Sequence, residues 1–175
     1  MTKPFSQACE NNKQPILDVL SRVFAKQSNV LEIGSGTGQH AVYLATSLPF
    51  LTWQTSDIPI NHAGINQWID DTLTPNIKRP FTLDLGKSQL LPASFDAIFS
   101  ANTLHIISWP LVQKFFDTVE KHLNQHGVLC IYGPFNYQGK FTSESNANFE
   151  LWLKDRDINS GIRDFEAICQ LAEKA

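Results

Sequence analysis

The segment Val30-Leu-Glu-Ile-Gly-Ser-Gly-Thr-Gly-Gln-His40 constrains the fold more than any other part of the chain. A short apolar run reads as a buried strand, and it runs into glycines at alternate positions before helical periodicity begins. Gly34, Gly36 and Gly38 lack Cβ atoms, so the backbone can turn sharply there and a ligand can approach it closely. The helix start behind the turn offers N–H groups with no intrahelical partner. A strand, a glycine turn and a helix in that order make a β-α unit with a ligand-facing edge.

The rest of the chain repeats this alternation. Strands are expected over 30–33, 51–55, 81–83, 95–101 and 128–132, and helices over 12–24, 40–48, 61–71, 110–123, 145–154 and 163–174. Asn12 is the expected cap of the first helix, with Pro15 in its first turn. Leu111, Val112, Phe115, Phe116, Val119 and Leu123 make the clearest buried stripe. The pattern predicts an α/β fold, a doubly wound, mainly parallel sheet with helices on both faces. A chain of 175 residues fits a single domain, and 42% hydrophobic residues suffice for a core.

Charge and cysteine usage exclude several functions. The net charge is -3 and Lys and Arg are scattered, so neither a nucleic acid nor a membrane surface is an expected partner. The N-terminal residues lack a signal core, and no apolar run approaches the roughly 20 residues that span a bilayer. The three cysteines, Cys9, Cys130 and Cys169, form no C-x-x-C, and reduced thiols fit a cytoplasmic protein. His122 and His126 are four apart but no third ligand has matching spacing, so no metal is expected. G-x-S-x-G is absent, which removes support for serine hydrolase chemistry.

The turn itself discriminates among ligands. A P-loop needs a Lys after its glycines, and none follows here. A dinucleotide site prefers G-x-G-x-x-G, whereas this spacing is G-x-G-x-G with Glu32 two residues upstream. A carboxylate there repels pyrophosphate and suits a cationic ligand with an ammonium group, such as S-adenosylmethionine (SAM). In that reading Glu32, Gly34, Ser35, Gly36, Thr37 and Gly38 hold the methionine part. Asp57, past the second strand, can accept from both ribose hydroxyls, or it caps the helix before Pro59. Asp84 or the Leu85 backbone meets the adenine amino group, or Asp84 is a turn aspartate before Gly86.

With Asp57, Asp84 and Phe95-Asp-Ala-Ile-Phe-Ser-Ala-Asn102, the glycine segment resembles the successive motifs of class I, Rossmann-like SAM-dependent methyltransferases. Ser35-Gly-Thr-Gly-Gln-His40, Ala101-Asn-Thr-Leu-His105 with Ser108-Trp109, Tyr132-Gly-Pro-Phe-Asn136, Phe141-Thr-Ser-Glu-Ser-Asn146 and Ser160-Gly-Ile-Arg-Asp164 are similar to the methyltransferase-like protein twenty-six family. The resemblance covers nearly the whole chain. It implies SAM as cofactor and methyl transfer to an acceptor, a small molecule or a protein, that it does not name. Class I folds usually finish with two further strands, and the sequence ends where these would begin. The expected sheet therefore has five strands and an exposed edge, through which a homodimer can form.

The remaining candidates lie at the edge where open α/β sheets bind ligands. Asn102 is a further cofactor contact. His105 is the candidate general base, or it packs against the cofactor or a loop. His40, Trp109, Tyr132, Asn136 and Arg163 are candidate pocket residues. Arg163 suits an anionic group, or a salt bridge to Asp164 or Glu166. Ser143 or Ser145 can simply start a helix. Two other functions stay open: a non-catalytic SAM sensor or structural subunit, and a nucleotide-dependent oxidoreductase.

Overall fold

A computed structural model describes residues 2–87 and 90–175. The chain divides into two compact units, one of residues 1–100 and 122–131, the other of residues 101–121 and 132–175.

The first unit carries the main sheet. Its strands are β1 (Asn29–Ile33), β2 (Thr52–Asp57), β3 (Ile77–Thr82), β4 (Phe95–Ala101) and β5 (Leu123–Tyr132), in the spatial order β3-β2-β1-β4-β5. The pairs β1–β2, β1–β4 and β2–β3 run parallel, so the order reverses at β1, between β2 and β4. In an open α/β sheet such a reversal opens a crevice beyond the strand ends. β1 ends there, at Ile33, where the glycine turn begins. Parallel strands covered on both faces read as continuous apolar runs, and the last four residues of β1 are all buried. Trp53 of β2 and Phe99 of β4 meet edge to face at 5.7 Å inside this core.

Helices α1 (Gln7–Val23), α2 (Gln39–Ser47) and α3 (Pro59–Asp70) complete the unit. α1 starts five residues before the expected position. Ser6 caps it, accepting from the Cys9 N–H at 3.4 Å, and Gln7 bonds Asn11 one turn on. Pro15 therefore sits inside the helix, and Asn12 is free to bind His40. α3 begins with Pro59 at its first turn, where a missing N–H costs nothing.

The second unit holds α4 from Trp109 to residue 121 (the helix ends at His122), α5 (Glu144–Arg156) and α6 (Phe165–Ala172). It also holds a two-stranded parallel sheet of β6 (Phe135–Asn136) and β7 (Arg163–Asp164). Val112, Phe115, Phe116 and Val119 of the expected stripe are buried, with Leu104, Leu153, Ile162 and Ile168. Ser143 caps α5 by accepting from the Asn146 N–H at 3.1 Å. His122 belongs with the first unit, and both its ring nitrogens are used there. Nε2 accepts from the Leu91 N–H at 3.3 Å, and Nδ1 donates to the Ala93 carbonyl at 3.0 Å. No described helix is long and apolar enough to cross a membrane.

Candidate functional site

In the first unit the glycine turn is built by positive backbone angles. Gly34, Gly36 and Gly38 have φ of 77°, 57° and 92°, in the region where an L side chain is strained. The turn is tied to the end of β2, because the N–H groups of Gly34 and Ser35 both donate to the Ser56 carbonyl, at 3.1 and 3.0 Å. A Cβ added at Gly36 meets nothing within 4 Å, so the backbone there borders open space. At Gly38 a Cβ lies 3.0 Å from Ile65 Cα, so that glycine lets α2 approach α3.

Several amides of the turn are already engaged. Gly36 N–H donates to Asp57 Oδ2 at 2.7 Å, Gly38 N–H to the Ser35 carbonyl at 2.9 Å, and Gln39 N–H to Thr37 Oγ1 at 3.3 Å. An anion-binding helix start needs such groups free. Asp57 Oδ1 accepts from the Ile58 N–H and from Asn61 Nδ2, both at 2.8 Å. The carboxylate is thus fixed in orientation at the last residue of β2. Beside it Ile58 is 40% exposed, an apolar surface next to the carboxylate.

Glu32 is buried, and its Oε2 accepts from Ser35 Oγ at 2.8 Å and from Trp53 Nε1 at 3.2 Å. Burial pushes its carboxyl up to about 7, the two hydrogen bonds oppose this, and the Asp57 charge adds to it. Glu32 therefore organises the turn through Ser35, whose Oγ also accepts from the Ser56 N–H at 3.2 Å. Trp53 was visible in the sequence only as a strand residue; its N–H must find an acceptor once buried.

His40 is buried against α1. Its Nε2 faces Asn12 Oδ1 at 2.6 Å and its Nδ1 faces Cys9 Sγ at 3.7 Å. Burial pulls the imidazole down to about 4, against the pull of Glu10. Gln39 accepts from the Ser6 N–H at 2.5 Å and donates to Glu10 Oε1 at 2.9 Å. Asp84 accepts from the Gly86 N–H at 3.0 Å and pairs with Lys87 at 3.1 Å, contacts that hold its carboxyl below the usual range. Its side chain thus fastens the turn, and Leu85 lies half-buried within it.

The second unit gathers the other candidates. Asn102 has φ 56° and its N–H donates to the Tyr132 carbonyl at 2.8 Å. His105 is buried, its ring edge to face with Phe149 at 5.3 Å. Burial, with the Arg163 charge, pulls its imidazole down to about 4. The Arg163 guanidinium lies 5.9 Å from the Trp109 ring centre. Neither Asp164 nor Glu166 pairs with Arg163; Glu166 accepts from the Gln138 N–H instead. Asn136 is 9% exposed, and its Oδ1 is buried with no hydrogen-bond partner. An orphaned carbonyl of that kind costs free energy unless a donor reaches it.

A family model described as protein of unknown function (DUF938) matches residues 3–175. An O-methyltransferase family protein from Burkholderia thailandensis superposes with a TM-score of 0.82 at 19% identity, covering 95% of this chain and 51% of the other. PigF with S-adenosylhomocysteine (SAH) gives 0.79 at 15%, covering 91% and 48%. Human N-acetylserotonin methyltransferase in complex with SAM gives 0.77 at 13%, covering 96% and 46%. The chain shares the α/β methyltransferase fold of these proteins and spans about half their length.

Proposed function

Because the chain belongs to the DUF938 family, we propose from its own residues that it is a SAM-dependent methyltransferase. The observation that carries this reading is the bond between Gly36 N–H and Asp57 Oδ2 at 2.7 Å. It puts a carboxylate, rather than free amides, at the mouth of the glycine turn. Such an edge disfavours a pyrophosphate and favours a ligand with hydroxyl donors and positive charge. The open space at Gly36 is a cradle that a side chain would fill, so the residues present fit an adenosyl cofactor.

Gly34 to Gly38 would hold the methionine part and Asp57 the ribose. Leu85 and Ile58 would border the adenine. Glu32 acts one step back, holding Ser35 and so the turn. The cofactor supplies an electrophilic methyl group. The protein's part is to align the acceptor and exclude water, which accounts for much of the barrier in such displacements. In the second unit His105, Trp109, Tyr132 and Asn136 would receive the acceptor. His105 enters as a neutral imidazole at neutral pH, so it can accept a hydrogen bond from an acceptor hydroxyl or thiol. The low identity of the solved methyltransferases leaves the acceptor open, with a small molecule favoured.

Calorimetric titration with SAM and SAH tests the cofactor, with NADH as control. Both adenosyl ligands should bind. Asp57→Ala should weaken them by roughly 10- to 100-fold, the worth of hydrogen bonds to a charged group. NADH binding without adenosyl binding would return the oxidoreductase reading. Adenosyl binding with no transfer to any acceptor would favour a sensor or structural subunit.

A further inference from the structure

The turn after Asn102 carries His105, and four consecutive carbonyls of it are fastened by one short segment. The Leu104 carbonyl accepts from Arg163 Nε at 3.0 Å, and the His105 carbonyl from the Gly161 N–H at 2.8 Å. The Ile106 carbonyl accepts from Ser160 Oγ at 2.6 Å, and the Ile107 carbonyl from Arg163 Nη2 at 2.5 Å. Arg163 thus grips both ends of the turn, and its Nη2 also donates to the Asn159 carbonyl at 3.0 Å. Among the described residues it has no ion-pair partner, so its planar fork serves the backbone and not a carboxylate.

The gripping segment is itself held by α5. Glu150 Oε2 accepts from the Ile162 N–H at 2.6 Å, and Lys154 Nζ donates to the Ile158 carbonyl at 3.0 Å. A Cβ on Gly161 would stand 2.9 Å from Glu150 Oε1, so the segment lies close against that helix. α5 also supplies Phe149, which meets the His105 ring. The same helix therefore fixes the ring directly and the backbone through residues 160–163.

We propose that Arg163 is a positioning residue, which with Ser160 and Gly161 sets the turn so that His105 presents its imidazole to the methyl acceptor in one orientation. This rests on the reading that His105 faces the acceptor. A ring held within a fraction of an ångström by packing and outer hydrogen bonds is what alignment catalysis requires. The guanidinium has a second effect through its charge. The charged group that acts on it is Glu150 of α5, which itself faces Lys154 at 3.9 Å. This leaves Arg163 as the cation that acts on His105.

The test uses the full chain without cofactor, so it is independent of SAM binding. Amide exchange at Gly161 reports the grip, and the His105 ring resonance, followed by NMR against pH, reports the charge. Arg163→Lys keeps the charge and loses the fork. Gly161 exchange should quicken at least 10-fold while the His105 ring still titrates well below pH 6. Arg163→Met loses both, so exchange should quicken and the ring should titrate nearer the ordinary histidine range. Ser160→Ala removes one of the four carbonyl partners and should quicken exchange less, which keeps the grip testable if Arg163→Met fails to fold. Wild-type His105 titrating like an exposed histidine would overturn the proposal, as would Arg163→Lys and Ser160→Ala both leaving Gly161 exchange unchanged. Failure of SAM to bind the wild type would sink the methyltransferase reading alone, leaving the grip measured.

Discussion

Gly36 and Gly38 look equivalent in sequence and do different work. Both have positive φ, which costs an alanine roughly 1–2 kcal/mol. Beyond that, a methyl at Gly36 enters open space, whereas at Gly38 it presses on Ile65 Cα. Gly36→Ala should therefore lose about 1 kcal/mol of stability and at least 10-fold in SAM affinity, because the methyl occupies the cradle. Gly38→Ala adds overpacking to strain and should lose roughly 3 kcal/mol. Denaturant melts beside calorimetry check this, and equal melts with unchanged SAM affinity for Gly36→Ala would refute the assignment. The placement of the glycines in a turn after β1 and of Asp57 at the end of β2 was legible in the sequence, because the strand–glycine–helix order carries it. The burial of Glu32 under Trp53 was not, since those two residues are far apart in the chain and meet only through the β1–β2 register. Nor was the orphaned Asn136 carbonyl, because a missing partner leaves no pattern.

At the scale of elements, the strands and helices with clear periodicity were legible, and the start of α1 was not. Its first turns, Gln7 to Gln14, are mostly polar and give no apolar stripe to read. They are helical because Ser6 caps them and because α2 receives their side chains, Glu10 on Gln39 and Asn12 on His40. The buried apolar anchors of α1, Ile16 and Leu20, lie only in its second half. This predicts a split response to Asn12→Ala. Loss of the 2.6 Å partner leaves a buried imidazole nitrogen unsatisfied, which costs about 1–3 kcal/mol. Amide exchange over residues 10–14 should quicken while that of β1 and β2 stays slow. Uniform acceleration through the sheet would show that the polar first half is not a separately opening segment. The β6–β7 pair was missed for a different reason: strands of two residues have no period, and only their pairing defines them.

At the scale of the whole molecule, three buried groups set opposing pH dependences. His40 and His105 fall from 6.5 to about 4 on folding, and Glu32 rises from 4.5 to about 7. A depressed histidine contributes stability that is present above its unfolded pKa and lost on acidification. A raised carboxyl contributes stability that is present below its unfolded pKa and lost as pH rises through the folded value. Between pH 4.5 and 6.5 the unfolded chain holds protons on both histidines and the folded chain holds one on Glu32. Stability there should rise with pH at roughly 1.4 kcal/mol per unit, one net proton. The unfolded chain loses its two histidine protons around pH 6.5 while folded Glu32 holds its own up to about 7, so the slope falls to zero near pH 7 and stability is nearly level above it, giving a maximum near pH 7. Glu32→Gln keeps an acceptor for Ser35 and Trp53 and removes the titration. Its stability should climb about twice as steeply with pH on the acid side and level off only above pH 7, once the unfolded histidines have lost their protons. His40→Gln should instead nearly level the acid limb, because one histidine then balances one carboxyl. Urea midpoints at half-unit steps from pH 5 to 8 check all three curves. A Glu32→Gln curve parallel to the wild type would mean that Glu32 is ionised in the folded chain throughout, and the glycine turn would then carry two carboxylate charges at neutral pH instead of sharing one with a proton.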